Sequence, residues 1–185
     1  MLTFNLLLVS LAAAAADHIS VEPLPQSNLD IRALTKVEGP VMVVRRTHHT
    51  DSYHRCLSAK KVRKYTETQF QYELRSRYGP TPDYDYIKDS VTVHLFRRQS
   101  YSGNYEAQYY SSITRLHVQL KLKEKDARNV CFVLWVTNSD GNNGCELLMK
   151  VSAFQGIIPL ACARYYEQNC RAKSIELHRS DCEYR

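Results

Sequence analysis

The chain has 185 residues, 44% hydrophobic and 24% charged, a balance that fits one globular domain and argues against a disordered tail or a multidomain enzyme. Lys and Arg outnumber Asp and Glu by 25 to 19, a formal charge of +6, which gives weak attraction to acidic surfaces. The basic residues form no stripe or tail. The densest runs, Lys60-Lys61-Val62-Arg63-Lys64 and Lys121 to Lys125, are short and read as solvated loop and strand ends, so no nucleic-acid partner is expected.

In chain order, Leu2 to Ala16 carries no charge and ends in the small-residue run Ala12 to Ala16. This is the shape of a secretory signal peptide over residues 1–16, with positive charge supplied by the free amino terminus alone. Its apolar stretch is too short for a bilayer span, and nothing later is apolar enough to cross a membrane. Cleavage after Ala16 would leave one domain, residues 17–185, expected to be soluble, secreted and monomeric. All six cysteines (Cys56, Cys131, Cys145, Cys162, Cys170, Cys182) fall in that part. An even number in an oxidising compartment predicts three disulfides, with fifteen connectivities open on sequence alone.

Pro23 and Pro25 mark an extended lead-in. Ser27-Asn28-Leu29-Asp30 reads as a helix start with Ser27 as cap, followed by Ile31, Leu34 and Val37 at helical spacing. Gly39-Pro40 stops that helix, and the β-branched run Val41-Met42-Val43-Val44 suits a strand buried on both faces. From Lys64 to Lys123 the pattern alternates: Phe70, Tyr72 and Leu74 share a face, as do Val91, Val93 and Leu95, and Tyr105, Ala107 and Tyr109. Thr114, Leu116, Val118, Leu120 and Leu122 then oppose Ile113, Arg115, His117, Gln119 and Lys121. Gly79-Pro80 and Ser102-Gly103-Asn104 mark turns.

Val130 to Thr137 and Cys145 to Val151 read as two more strands around the loop Asn138 to Gly144, whose Asn, Asp and Gly residues tolerate positive φ. Ile158-Pro159 opens a helix that carries Cys162, Tyr166 and Cys170 on one face. Short strands with no crossover helices between them predict an antiparallel up-and-down barrel of about eight strands, and such a barrel encloses a cavity.

The strand Val41 to Arg46 followed by Cys56, then Cys131-Phe-Val-Leu, Cys145-Glu-Leu-Leu, Ile158-Pro-Leu-Ala-Cys162 and the late Cys182, resembles the salivary lipocalins of ticks, which include the histamine-binding proteins. The resemblance covers nearly all of the chain after the leader. It implies an eight-stranded antiparallel lipocalin-like barrel with a short N-terminal helix and a C-terminal helix packed on it. It also implies the pairings Cys56–Cys182, Cys131–Cys162 and Cys145–Cys170.

Amine binders of that family share Cys-Asp-(Val/Ile/Leu), a spacer, Glu-Leu-(Trp/Tyr), a spacer, then Cys. Here Cys131, Val133, Glu146, Leu147 and Cys162 match, whereas Phe132 stands at the Asp position and Leu148 at the aromatic one. The resemblance thus implies ligand-binding roles for Glu146, Phe132 and Leu148, with Asp51 loosely matching another acidic position. Strand parity leaves Glu146 either lumenal or solvated; if it is lumenal, Leu148 and Phe132 are too.

The implied function is capture of a small host mediator in saliva, a biogenic amine such as histamine or serotonin, to evade host defence. Phe132 and Leu148 make the lumen more apolar than the amine pattern, which keeps open a lipid mediator of leukotriene or fatty-acid type, held by Arg98, Arg115 or tyrosines at the mouth. A module that grips a host protease or complement component is a third reading. His48, His49, Asp51 and His54 crowd together in sequence but match no metal-site spacing, and a solvated loop of histidines is expected. No nucleophile elbow, paired-carboxylate signature or phosphate-cradling loop is present, so no enzymatic activity and no cofactor are expected.

Overall fold

The computed structural model of the chain describes residues 29–79, 81, 83–97 and 103–185. The expected signal peptide over residues 1–16, the expected Ser27 cap, Arg98 and parts of the two expected turns at Gly79-Pro80 and Ser102 lie outside them. Eight antiparallel strands run β1 (Val41–Arg46), β2 (His54–Lys64), β3 (Gln69–Tyr78), β4 (Tyr86–Arg97), β5 (Tyr105–Ser111), β6 (Leu116–Lys125), β7 (Cys131–Asn138) and β8 (Gly144–Lys150). Each pairs with the next, and β1 pairs with both β8 and β2, which closes the barrel.

A one-turn helix, α1 (Arg32–Thr35), sits at one end. The Asp30 carboxylate accepts from the Arg32 backbone N–H at 2.8 Å, and Ile31, 1% exposed, packs into the lumenal core. Lys61 Nζ donates to the Thr35 carbonyl at 2.8 Å and holds the turn against β2. The opposite end carries the β1–β2, β3–β4, β5–β6 and β7–β8 connections, and forms the mouth.

Strands β1, β7 and β8 are buried on both faces, which is why their sequences run continuously apolar. Val41, Val43, Phe132, Leu134 and Leu148 join the inner core. Met42, Val44, Val133, Leu147 and Met149 form an outer core with Cys162 and Tyr166 of α2 (Leu160–Asn169). The Cys131–Cys162 and Cys145–Cys170 disulfides staple that helix to β7 and β8, and Cys56–Cys182 ties the C-terminal tail to β2. All three pairings are those the family resemblance implies.

Three features depart from the sequence expectations. Residues 54–64, over which no strand is read from the sequence pattern, form the eleven-residue β2, whose alternation is broken by register shifts between Arg55 and Ser58 and between Lys61 and Arg63; its far end, Lys60–Lys64, is the largely solvated strand end expected. Ile113 and Thr114 belong to the β5–β6 turn, where Arg115 has φ 58°, so β6 begins only at Leu116.

The third is the barrel seam. Strands β1 and β2 pair directly at only two positions, Val41 with Ala59 and Met42 with Ser58. Nearer the mouth the gap is bridged by a short strand, β9 (Ile175–Glu176), paired to Arg46 and Arg45, and by Leu177 just after it. The Leu177 N–H donates to the Val44 carbonyl and the Leu177 carbonyl accepts from the Cys56 N–H, both at 2.8 Å. The fully buried Leu177 side chain completes the inner core.

Candidate functional site

The barrel encloses a cavity of about 480 Å³, within the range that holds a small organic ligand. Its deeper wall is apolar, with Val43, Leu95, Leu120, Leu134 and Leu148 around the Tyr72 ring. Burial and, secondarily, Glu38 push the Tyr72 hydroxyl up to about 12, so it stays neutral.

The mouth is polar, and strand irregularity builds it. A bulge between Val43 and Arg45 changes the parity of β1: Val41 and Val43 face the lumen, Val44 faces outward, and Arg46 turns inward where simple alternation would place Arg45. Arg46 is 6% exposed, stands opposite Glu146 in the β1–β8 register, and donates from Nη2 to the His49 carbonyl at 3.0 Å.

His48 follows on the wall, also buried, its Nε2 3.1 Å from Glu146 Oε1. Burial alone would raise the Glu146 carboxyl. The hydrogen bond to His48 and the charges of His48, Arg46 and His49 outweigh it and hold the group below the usual carboxylate range.

His49 and His54 line the cavity as well. Burial lowers both imidazoles from their ordinary range; His49 lies 3.5 Å from Asp140, and His54 shares a hydrogen bond with Ser76 Oγ at 3.0 Å. The expected solvated loop of histidines is therefore corrected: His48 is in the wall and the other two are half-buried. Among the described residues the one set of potential metal ligands within reach of one another is Cys56, Asp181 and Cys182, whose sulfurs are spent in a disulfide.

Asp89 on β4 supplies a second lumenal carboxylate. It is 8% exposed and accepts from Ser111 Oγ at 2.6 Å and Ser112 Oγ at 3.2 Å. No cationic side chain among the described residues comes within ion-pair distance of it. Tyr109 lines the cavity within electrostatic range of both carboxylates, and burial, then Glu146 and Asp89, raise its hydroxyl above the normal phenol range. Sequence reasoning missed Asp89 because Lys88-Asp89-Ser90 reads as a surface run; the alternation Val91, Val93, Leu95 extended back to Ile87 was the available signal.

A family model described as tick histamine binding protein matches residues 23–184. The chain belongs to the tick histamine-binding protein family. No curated protein matches it closely enough to name as a relative.

The family motif positions separate in space. Glu146 and Leu148 are on the cavity wall. Phe132 pairs with Leu148 across β7 and β8 and is fully buried in the lumenal core, but it does not line the cavity. Asp51 is exposed in the β1–β2 loop and is not part of the wall. Arg115 is exposed in the β5–β6 turn, and among the described residues the arginines on the cavity lining are Arg46 and Arg75 instead. The barrel, its disulfides and its family make this a ligand-binding protein; the disulfides fit an extracellular one.

Proposed function

We propose that this member of the tick histamine-binding family is a secreted salivary protein that sequesters, without catalysis, a small cationic mediator of biogenic-amine type. The observation that carries the reading is Asp89. Two buried carboxylates, Asp89 and Glu146, and two buried arginines, Arg46 and Arg75, line the cavity; Glu146 is engaged by His48 and faces Arg46, and the Arg75 guanidinium lies over the Tyr86 ring, whereas Asp89 is held by the hydroxyls of Ser111 and Ser112. Asp89 has no ion-pair partner among the described residues, and an ammonium group supplies one. A contact at about 4 Å contributes roughly 4 kcal/mol at an effective dielectric near 20. Tyr109 adds a ring wall beside the carboxylates. The apolar depth suits an aromatic or aliphatic body attached to the amine.

Calorimetric titration of the oxidised protein with histamine, serotonin and leukotriene B4 tests this. Amine binding is expected, and Asp89→Asn weakens it by about 30-fold or more, the effect of removing one partner of a buried charge pair. Amine binding that survives Asp89→Asn unchanged overturns the role of Asp89.

The second reading, a carboxylated lipid mediator, is favoured by the inward Arg46 above an apolar lumen. Leukotriene binding alone, lost in Arg46→Gln, would replace the amine reading. Silence with all three ligands would favour a protein target.

A further inference from the structure

We infer that Tyr84, on the β3–β4 connection at the mouth, is an acceptor site for tyrosine O-sulfation; the inference rests on the secretory routing proposed above. Tyr84 stands in Asp83-Tyr84-Asp85, preceded by Gly79-Pro80-Thr81-Pro82. Its side chain is 49% exposed, and both flanking aspartates are exposed. The hydroxyl has no hydrogen-bond partner among the described residues. One edge of the ring lies on the backbone of Gly79: a Cβ there would fall 2.3 Å from Tyr84 Cδ2, so only glycine at 79 allows this pose. The phenol oxygen is left toward solvent.

The other exposed tyrosines among the described residues lack this setting. Tyr53 lies between Ser52 and His54, Tyr65 between Lys64 and Thr66, Tyr78 between Arg77 and Gly79, and Tyr110 between Tyr109 and Ser111. Tyr86 shares Asp85, but it is half-buried, sits under the Arg75 guanidinium, and its hydroxyl accepts from the Glu183 N–H at 2.7 Å.

Acid on both sides of the acceptor matters because a transferase that binds an anionic nucleotide phosphosulfate must present a basic cleft. An acidic flank is electrostatically complementary to that cleft, whereas the chain as a whole, at +6, is not. In the transfer, the Tyr84 oxygen forms a bond to the donor's sulfur. The sulfur–oxygen bond to the phosphate breaks, with its electron pair leaving on the nucleotide bisphosphate, and the phenolic proton passes to a base of the transferase. The product carries one negative charge, fixed at every physiological pH, beside the mouth. Such a charge raises the local concentration of a cationic ligand.

The test incubates the folded, oxidised full chain with a tyrosylprotein sulfotransferase and a nucleotide phosphosulfate, followed by intact mass and fragmentation of the Asp83–Asp85 peptide. The expected result is a gain of one SO3 group on Tyr84, abolished in Tyr84→Phe and retained in Tyr110→Phe. No gain in the wild-type chain, or a gain that persists in Tyr84→Phe, overturns the inference. In parallel the chain is expressed with its own leader in insect cells. Failure to reach the medium would sink the secretion reading, while the purified transfer reaction still decides Tyr84.

Discussion

Replacing Glu146 by Gln separates its structural role from ligand capture. Glutamine keeps the volume and an oxygen that can accept from His48 Nε2, so packing and the 3.1 Å contact survive. What disappears is the negative charge opposite Arg46, itself 6% exposed. Arg46 and Glu146 interact through space without a direct ion-pair contact, so the cost of breaking a buried ion pair from one side, about 3–5 kcal/mol, is an upper bound. The Glu146 side chain is 15% exposed, where it opens on the cavity, and screening there reduces the figure to about 2–3 kcal/mol. For a domain of this size the melting temperature should fall by about 4–12 °C at neutral pH.

The same residue sets an acid limit. The folded Glu146 carboxyl titrates below its reference value of 4.5, held there by His48 and Arg46 against its burial. A carboxyl depressed in the fold contributes stability that is fully present above its unfolded pKa and is lost as pH falls through the folded one. Wild type therefore loses part of its margin as pH falls below 4.5, while Glu146→Gln has none of that contribution to lose. Thermal melts of the two proteins across that range should converge on acidification. A variant as stable as wild type at neutral pH, or a gap that stays constant into acid, refutes the charge argument.

Three further predictions concern the barrel. Serine at both Cys56 and Cys182 removes a cross-link spanning 126 residues, worth about 5 kcal/mol in the chain-entropy model, and frees the segment that bridges the seam. Melting temperature and ligand affinity should fall together, and an unchanged affinity would show that β9 and Leu177 are dispensable to the site. Phe132→Ala removes a fully buried ring and should cost about 3–5 kcal/mol in denaturant titration, with little effect on affinity because the ring does not line the cavity. Trp135, the single tryptophan, is 39% exposed on the outer face of β7, so a lumenal ligand should leave its emission maximum unshifted; a shift would place binding on the outside.

The alternation that predicts strands groups apolar residues on shared faces without saying which face is lumenal, and wherever strands are regular those faces form the inner core. Val91, Val93 and Leu95, and Leu120 and Leu122 on β6, enter the inner core in the expected phase, with Ala107 and Tyr109. The helix after Ile158-Pro159 buries Cys162 and Tyr166 as its spacing requires. Strand β2 was less legible, because two register shifts break its phase and its last residues are solvated lysines and arginine.

The polar end of the site was the least legible part, for one physical reason. Period-two reasoning assumes an unbroken ladder, and the mouth is made where ladders break. Arg46 faces inward only because Val44 adds a residue to β1, and His48 is buried only because the chain stays against β8 beyond the end of β1. Asp89 looks like a surface residue until Ser111 and Ser112, more than twenty positions later, reach its oxygens. Regular segments supply the apolar depth that lipocalin-like barrels share, and bulges and strand ends supply the charges. The selection among ligands therefore falls to Arg46, Asp89 and Glu146, which is why exchanging charge at these three positions, with the apolar wall untouched, should change which mediator is held and not whether the barrel folds.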